Sequence, residues 1–302
     1  MKLELEAGRL FARRTHENPS LEVSGETDTL RRVLVCAPNH LKPVPCCSVT
    51  KESIRDGFES DTHAALAQHR GLREILAANG AAVDLLPPRP GMPDLCFTRD
   101  VGVSTPWGLV ALNPALKHRA VEVAHFKAWA ETHTQSRVEQ VTVGSIEGGD
   151  VCVARPGLLI VGVSGNRTDD EGAEAFAARF RHEGWEVLLY RFDEHFLHLD
   201  TIFSMLHSTT ALGCTEVLDD SFLETIARRG IKILPVTYKE SRLLGCNVVS
   251  IDGQRIIAGA GTPRVSAMMR DAGFTVTETN LDQFTACGGG VHCLTMPLLR
   301  GS

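Results

Sequence analysis

This chain of 302 residues lacks the usual marks of several protein classes. Its nine cysteines are odd in number and none stands in a C-x-x-C spacing, which argues against a disulfide framework or a zinc site and leaves reduced thiols. There is no G-x-G-x-x-G and no P-loop, so nothing supports a nucleotide-binding sheet. The longest apolar stretches, such as Gly157–Val163, are far too short to cross a bilayer. The opening Met1-Lys2-Leu3-Glu4-Leu5-Glu6 carries acids where a secretory signal needs a basic start, so a cytoplasmic location is expected. A net charge of -6 does not suggest a nucleic acid partner. Neither a metal nor a cofactor is called for, and the oligomeric state stays open, a homodimer being the assembly to test.

What is present is an ordinary globular composition, 43% hydrophobic and 23% charged. Residues 1–28 are polar with weak periodicity and are expected to form an arm, leaving 29–302 as a single domain. Arg31–Cys36 reads as a first strand. After it a unit recurs in which a helix ends at a glycine and a short strand follows at once: Gly80, Gly184, Gly230 and Gly273 hold that position. A fifth copy fits Arg137–Val143 after the helical stretch His118–His133. Helix starts are legible at Thr168-Asp169-Asp170-Glu171, a capping box, and at Thr262-Pro263. Val151–Val153 with Leu158–Val161, and Val248–Ile251 with Arg255–Ile257, read as hairpins. Five strand, hairpin and helix units suggest an α/β ring with the helices outside, the alternative being a doubly wound α/β sheet.

Four polar clusters interrupt the apolar units. Phe97-Thr98-Arg99-Asp100 precedes a strand, with Asp94 just upstream. Glu147-Gly148-Gly149-Asp150 precedes another. In His198-Leu199-Asp200-Thr201 an extended backbone would set the imidazole and the carboxylate on one face. The last is Gly288-Gly289-Gly290-Val291-His292-Cys293, a thiol led by three glycines into an apolar run. Each alone is an ordinary turn or a buried thiol. Together, Asp100, Glu147 and Asp200 would make a strongly negative pocket, whose natural occupant is a guanidinium bound bidentately by carboxylates. The adjacent Cys46-Cys47 is either a redox-sensitive pair or two small buried residues.

These four motifs, in this order, resemble the guanidino-group-modifying (pentein) superfamily of arginine deiminases, dimethylarginine dimethylaminohydrolases and amidinotransferases. The resemblance runs from about residue 31 to 300 and implies a five-bladed α/β propeller with a central active-site channel. It implies that Cys293 attacks the guanidinium carbon to form a covalent thiouronium, that His198 is general acid and base, and that Asp100 and Glu147 hold guanidinium nitrogens. Asp200 adds a carboxylate beside His198, and Asp94 and Arg99 join the substrate-binding set. Asn113–Arg119 and Asn166-Arg167-Thr168 match positions that bind the amino acid end of the substrate, which nominates Arg119 and Arg167. His292 stands where deiminases tend to have an arginine. The expected activity is hydrolysis of a guanidino C–N bond of arginine or a close derivative to a citrulline-type product. Amidino transfer to an amine is the alternative, and a non-catalytic binding protein on the same fold is the remote one.

Overall fold

The computed structural model describes residues 21–134 and 138–301. Strand β1 (Leu30–Cys36) is followed by helices α1 (Ser48–Arg55) and α2 (Thr62–Ala78) and strand β2 (Ala82–Leu86). The next copy runs β3 (Gly102–Thr105), β4 (Gly108–Ala111), α3 (Lys117–His133) and β5 (Glu139–Gln140). It repeats as β6 (Val151–Arg155), β7 (Leu158–Val163), α4 (Asp170–His182) and β8 (Glu186–Arg191). A further copy is β9 (Phe203–His207), β10 (Thr210–Cys214), α5 (Asp220–Ala227) and β11 (Lys232–Val236). After the short α6 (Tyr238–Arg242) come β12 (Val249–Ser250), β13 (Arg255–Gly259), α7 (Pro263–Asp271) and β14 (Thr275–Thr279). Helix α8 (Asp282–Thr285) and strand β15 (Met296–Arg300) end the described chain.

Among the described residues the strands form five three-stranded sheets, and the middle strand of each pairs antiparallel on one side and parallel on the other. The parallel pairing follows from the helix between those strands, which returns the chain to the starting end of the sheet. One sheet joins both ends of the described chain, since β15 pairs with β1. The strands β3, β6, β9, β12 and β15 hold equivalent edges of their sheets. Side chains tie some of these edges together: Ser104 Oγ donates to Pro297 O (2.8 Å) and Ser250 Oγ to Leu206 O (2.9 Å).

The local rules explain the boundaries. Gly80, Gly184, Gly230 and Gly273 all have positive φ (91°, 79°, 69° and 97°), the left-handed conformation that lets a strand leave a helix directly. The expected fifth copy is present as β5. At α4 the cap lies one residue later than the sequence suggests: Asp169 accepts from Gly172 N, while Thr168 donates its hydroxyl to Asp150 instead. Three of the polar clusters form 3-10 turns, over Thr98–Val101, Gly148–Asp150 and Leu199–Thr201, and at the last the turn replaces the extended backbone expected for His198-Leu199-Asp200. Of the arm expected over 1–28, residues 1–20 lie outside the described residues. Leu21 and Val23 are buried, and Glu26 N donates to Val153 O (2.7 Å).

Packing links neighbouring sheets. In α4 the stripe Ala173, Phe176, Ala177 and Phe180 is buried. Phe180 meets Trp107, from the turn between β3 and β4, edge-on at 5.0 Å, and Trp185, before β8, at 5.2 Å. Aromatic contacts of this kind add to the hydrophobic term. Phe180→Ala is expected to cost about 3–5 kcal/mol, read as a lower urea midpoint with an unchanged slope.

Candidate active site

The 3-10 turns leading into β3, β6 and β9 converge. Asp100 Oδ1 accepts from Gly149 N (3.1 Å) and Asp100 Oδ2 from Arg119 Nη1 (2.6 Å). Gly149 must lack a side chain, because a Cβ there would sit 2.6 Å from His198 Nδ1. Asp150, on the same turn, accepts from Leu199 N (2.8 Å) and Thr168 Oγ1 (2.6 Å), which fixes the turn that presents His198. Glu147 Oε2 then lies 2.8 Å from His198 Nε2 and 3.0 Å from Arg167 Nη1.

Burial decides the electrostatics. His198 is buried, which works against its charge, but Asp100, the hydrogen bond to Glu147, and Asp150 raise it to about 10. Its ring is therefore cationic at neutral pH. Glu147 is also buried, yet Arg167 and His198 lower its carboxyl to about 2. Burial pushes Asp150 up to about 7 against the pull of His198 and its hydrogen bonds. Asp100, Glu147 and His198 bring one donor atom each within 4.8 Å of one another, a spacing that a metal could use. Here those carboxylates already meet Arg119, Arg167 and the cationic ring, which makes the trio an ion-pair network.

Cys293 precedes β15 and is buried, with Sγ 3.6 Å from Asp200 Oδ2 and 3.2 Å from Asn247 Nδ2. Burial and the charges of Asp200 and Asp100 hold its thiol well above the usual range, so it is neutral in the unliganded site. Behind it, His292 bridges two acids, Asp200 Oδ2 at 2.8 Å and Glu26 Oε2 at 3.1 Å, and Glu26 also pairs with Arg99. Burial and Arg99 oppose the charge of His292, but Glu26 and Asp200 raise it.

Cys293, His198, Asp100, Asp94, Arg119 and Arg167 line one small cavity, closed over by Cys46, Cys47, Leu197, Cys287 and the glycines Gly288 and Gly289. Its volume of about 20 Å³ is room for a single water. Cys46, Cys47, Leu197 and Arg167 also line an outer pocket of about 400 Å³, together with Lys51, Arg55, Asn166, Asp193 and Glu194.

Most of the residues expected from the sequence are thus brought together. Asp94 accepts from His118 Nε2 at 2.7 Å. Arg119 is largely committed within the protein, to Asp100, to Glu122 (2.9 Å) and to the carbonyls of Asp94 and Phe97. Arg167 also donates to Cys46 O (3.0 Å). The structure does not bring Arg99 to the cavity wall: it binds Glu26 and the Gly148 and Val151 carbonyls. His198 and Asp200 do not share a strand face, and because a 3-10 turn separates them they meet different partners. Glu26 and Asn247, which contact these residues, lie outside the sequence motifs, and Asp150 and Thr168 fall within them without an individual role. The repeat period could have found Asn247, and nothing local marks Glu26.

Comparison with known proteins gives the chain's relatives. A family model described as "N,N dimethylarginine dimethylhydrolase, eukaryotic" matches residues 49–300. YkgA, an uncharacterized protein of Bacillus subtilis, is 29% identical over 278 residues, covering 91% of this chain and 94% of that protein. N(G),N(G)-dimethylarginine dimethylaminohydrolase of Pseudomonas aeruginosa is 26% identical over 251 residues, covering 81% of this chain and 94% of that protein. The substrate-bound N-terminal domain of ArgZ, a cyanobacterial arginine dihydrolase, superposes with a TM-score of 0.79 at 26% identity, covering 89% of this chain and 98% of that one. The same domain is also known covalently bound to a reaction intermediate, with the same TM-score of 0.79.

The raised histidine makes stability pH-dependent. Its folded value of about 10 exceeds the ordinary 6.5, so its contribution is full below 6.5 and is lost as pH rises through 10. His198→Gln should therefore lower the melting temperature relative to wild type more at pH 6 than at pH 10. Equal losses at both would show that the ring is not charged in the fold.

Proposed function

Because the chain belongs to the N,N-dimethylarginine dimethylhydrolase family, we propose that its site hydrolyses a guanidino C–N bond of arginine or a methylated arginine, releasing ammonia or the amine and leaving citrulline. The enzyme is a hydrolase of linear amidines. The observation that carries this reading is the pairing, on one buried cavity, of the Cys293 thiol with a cationic His198, with Glu147 against the ring and Asp200 against the sulfur. Glu147 Oε1 and Asp200 Oδ1 are both buried without a protein donor. A guanidinium is planar, cationic and rich in N–H groups, so it supplies what those oxygens lack.

The steps follow from the charges. A guanidinium beside Asp100, Glu147 and Asp200 offsets the negative field that keeps Cys293 protonated, so substrate binding itself favours the thiolate. The thiol proton leaves to solvent and the sulfur attacks the central carbon, forming a C–S bond. His198 gives its proton to the departing nitrogen as the C–N bond breaks, leaving a thiouronium on Cys293. The now neutral imidazole takes a proton from water, whose oxygen attacks the same carbon and expels the thiolate; the hydroxyl proton released as the product C=O forms restores the thiol. Two ordinary steps replace one difficult step, and His198 ends protonated as it began.

The inner cavity is far smaller than an arginine, so entry requires movement of the segment carrying Cys46 and Cys47, or of Leu197, which separate it from the outer pocket. Arg167 lines both spaces and is the cation placed to receive the substrate carboxylate, with Asp193 and Glu194 nearby for its ammonium. Arg119, held on four protein acceptors, serves first to orient Asp100. The pairing of β1 with β15 and the serine links between edge strands support closure of the five sheets into a five-bladed propeller, with residues 29–302 as one catalytic domain.

Incubation with arginine, mono- and dimethylarginine, and a panel of amines, with product analysis, tests the reading. Citrulline with ammonia or methylamines is expected, whereas ornithine with a new guanidino compound would mean amidino transfer. Cys293→Ala should lower kcat at least about a thousandfold. Unchanged turnover in that variant would sink the assignment of the nucleophile.

A further inference from the structure

The residues just ahead of the equivalent edge strands β3, β6, β9, β12 and β15 include Asp100, Asp150, Asp200, Asn247 and Cys293, spaced by 50, 50, 47 and 46 positions. Three are carboxylates, one is the thiol, and Asn247 alone is an uncharged amide. Asn247 is buried, and its Oδ1 accepts from His292 N (2.9 Å) and Cys293 N (3.3 Å). Gly290 packs so closely on it that a Cβ there would lie 2.6 Å from Oδ1.

These contacts fix the orientation of the amide. Backbone N–H groups can only donate, so the atom facing them must be the oxygen. The NH2 then necessarily faces the sulfur at 3.2 Å and Asp200 O at 3.4 Å. An NH2 cannot accept a proton, so it meets the sulfur's electron pair, while the S–H points toward Asp200 Oδ2 at 3.6 Å. The thiol thus has a donor on one side and a proton acceptor on the other.

We propose that Asn247 is a further catalytic residue, whose Nδ2–H hydrogen-bonds the Cys293 sulfur and stabilises the thiolate that attacks the guanidinium carbon. This rests on Cys293 being the nucleophile. An aspartate would still accept the two backbone N–H groups, but it would turn a carboxylate oxygen toward the sulfur and oppose the thiolate. The neutral amide is what distinguishes this position from the three aspartates of the other sheets.

The test is alkylation of the full-length chain by iodoacetamide as a function of pH, with modification of Cys293 resolved from that of Cys287 by fragment mass spectrometry. Wild type, Asn247→Asp and Asn247→Ala are compared, with circular dichroism to establish folding. The apparent pKa for alkylation of Cys293 should rise by about one to two units in Asn247→Asp and by about one in Asn247→Ala. In both, kcat should fall about tenfold or more with little change in KM. A wild-type alkylation profile in either folded variant would overturn the proposal. So would loss of the fold in both, which would assign the amide a structural role. Alkylation needs no turnover, so this failure is distinct from failure of the nucleophile assignment, which Cys293→Ala reads separately.

Discussion

The site depends on a buried network in which Asp100, Glu147, Asp200 and Glu26 each meet a cation, while Glu147 and Asp200 each keep one oxygen without a protein donor. Arg119 answers Asp100, Arg167 and His198 answer Glu147, and His292 answers Asp200 and Glu26. Stripping several ions of water costs more than any one contact returns, so such a cluster persists only where geometry is good and every group is paired. The fold supplies that geometry by repetition. Among the described residues five sheets each present an edge strand, and the residues ahead of those strands include Asp100, Asp150, Asp200, Asn247 and Cys293.

The network also sets the state of the thiol. Burial, and after it the charges of Asp200 and Asp100, raise the Cys293 thiol well above its usual range, so the resting site holds a neutral sulfur. In the proposed reaction the substrate's guanidinium brings the charge that favours the thiolate, so that reaction would select against an uncharged ligand. His198, by contrast, is cationic before anything binds, the state that the proposed proton transfer to the departing nitrogen requires. Asp100 acts on both groups, keeping the imidazole charged and the thiol neutral.

Much of this was legible in the sequence where the cause is local. Helix-ending glycines announce themselves because left-handed backbone favours them, and the repeat they mark points to the copy that holds β5. The motif residues were found because polar groups ahead of apolar strands are conspicuous. Arg99 misled because adjacency in sequence suggests a shared task with Asp100. On a 3-10 turn the two diverge, Asp100 to Arg119 and Arg99 to Glu26. Glu26 was invisible since its partner His292 is 266 residues away and no pattern connects them. That contact also explains His292, which braces Asp200 from behind the nucleophile. Asn247 falls on the repeat of strand starts, which the helix-ending glycines do not mark.

The central claim is that the Cys293 sulfur becomes covalently bonded to the guanidino carbon during turnover. Acid-quenching the enzyme in the presence of saturating arginine or methylarginine, followed by peptide mass spectrometry, measures this directly. The expected result is a mass increase equal to the substrate less its departing amine, located on Cys293. Productive turnover with Cys293 unmodified and the adduct on another thiol, such as Cys47, would contradict it.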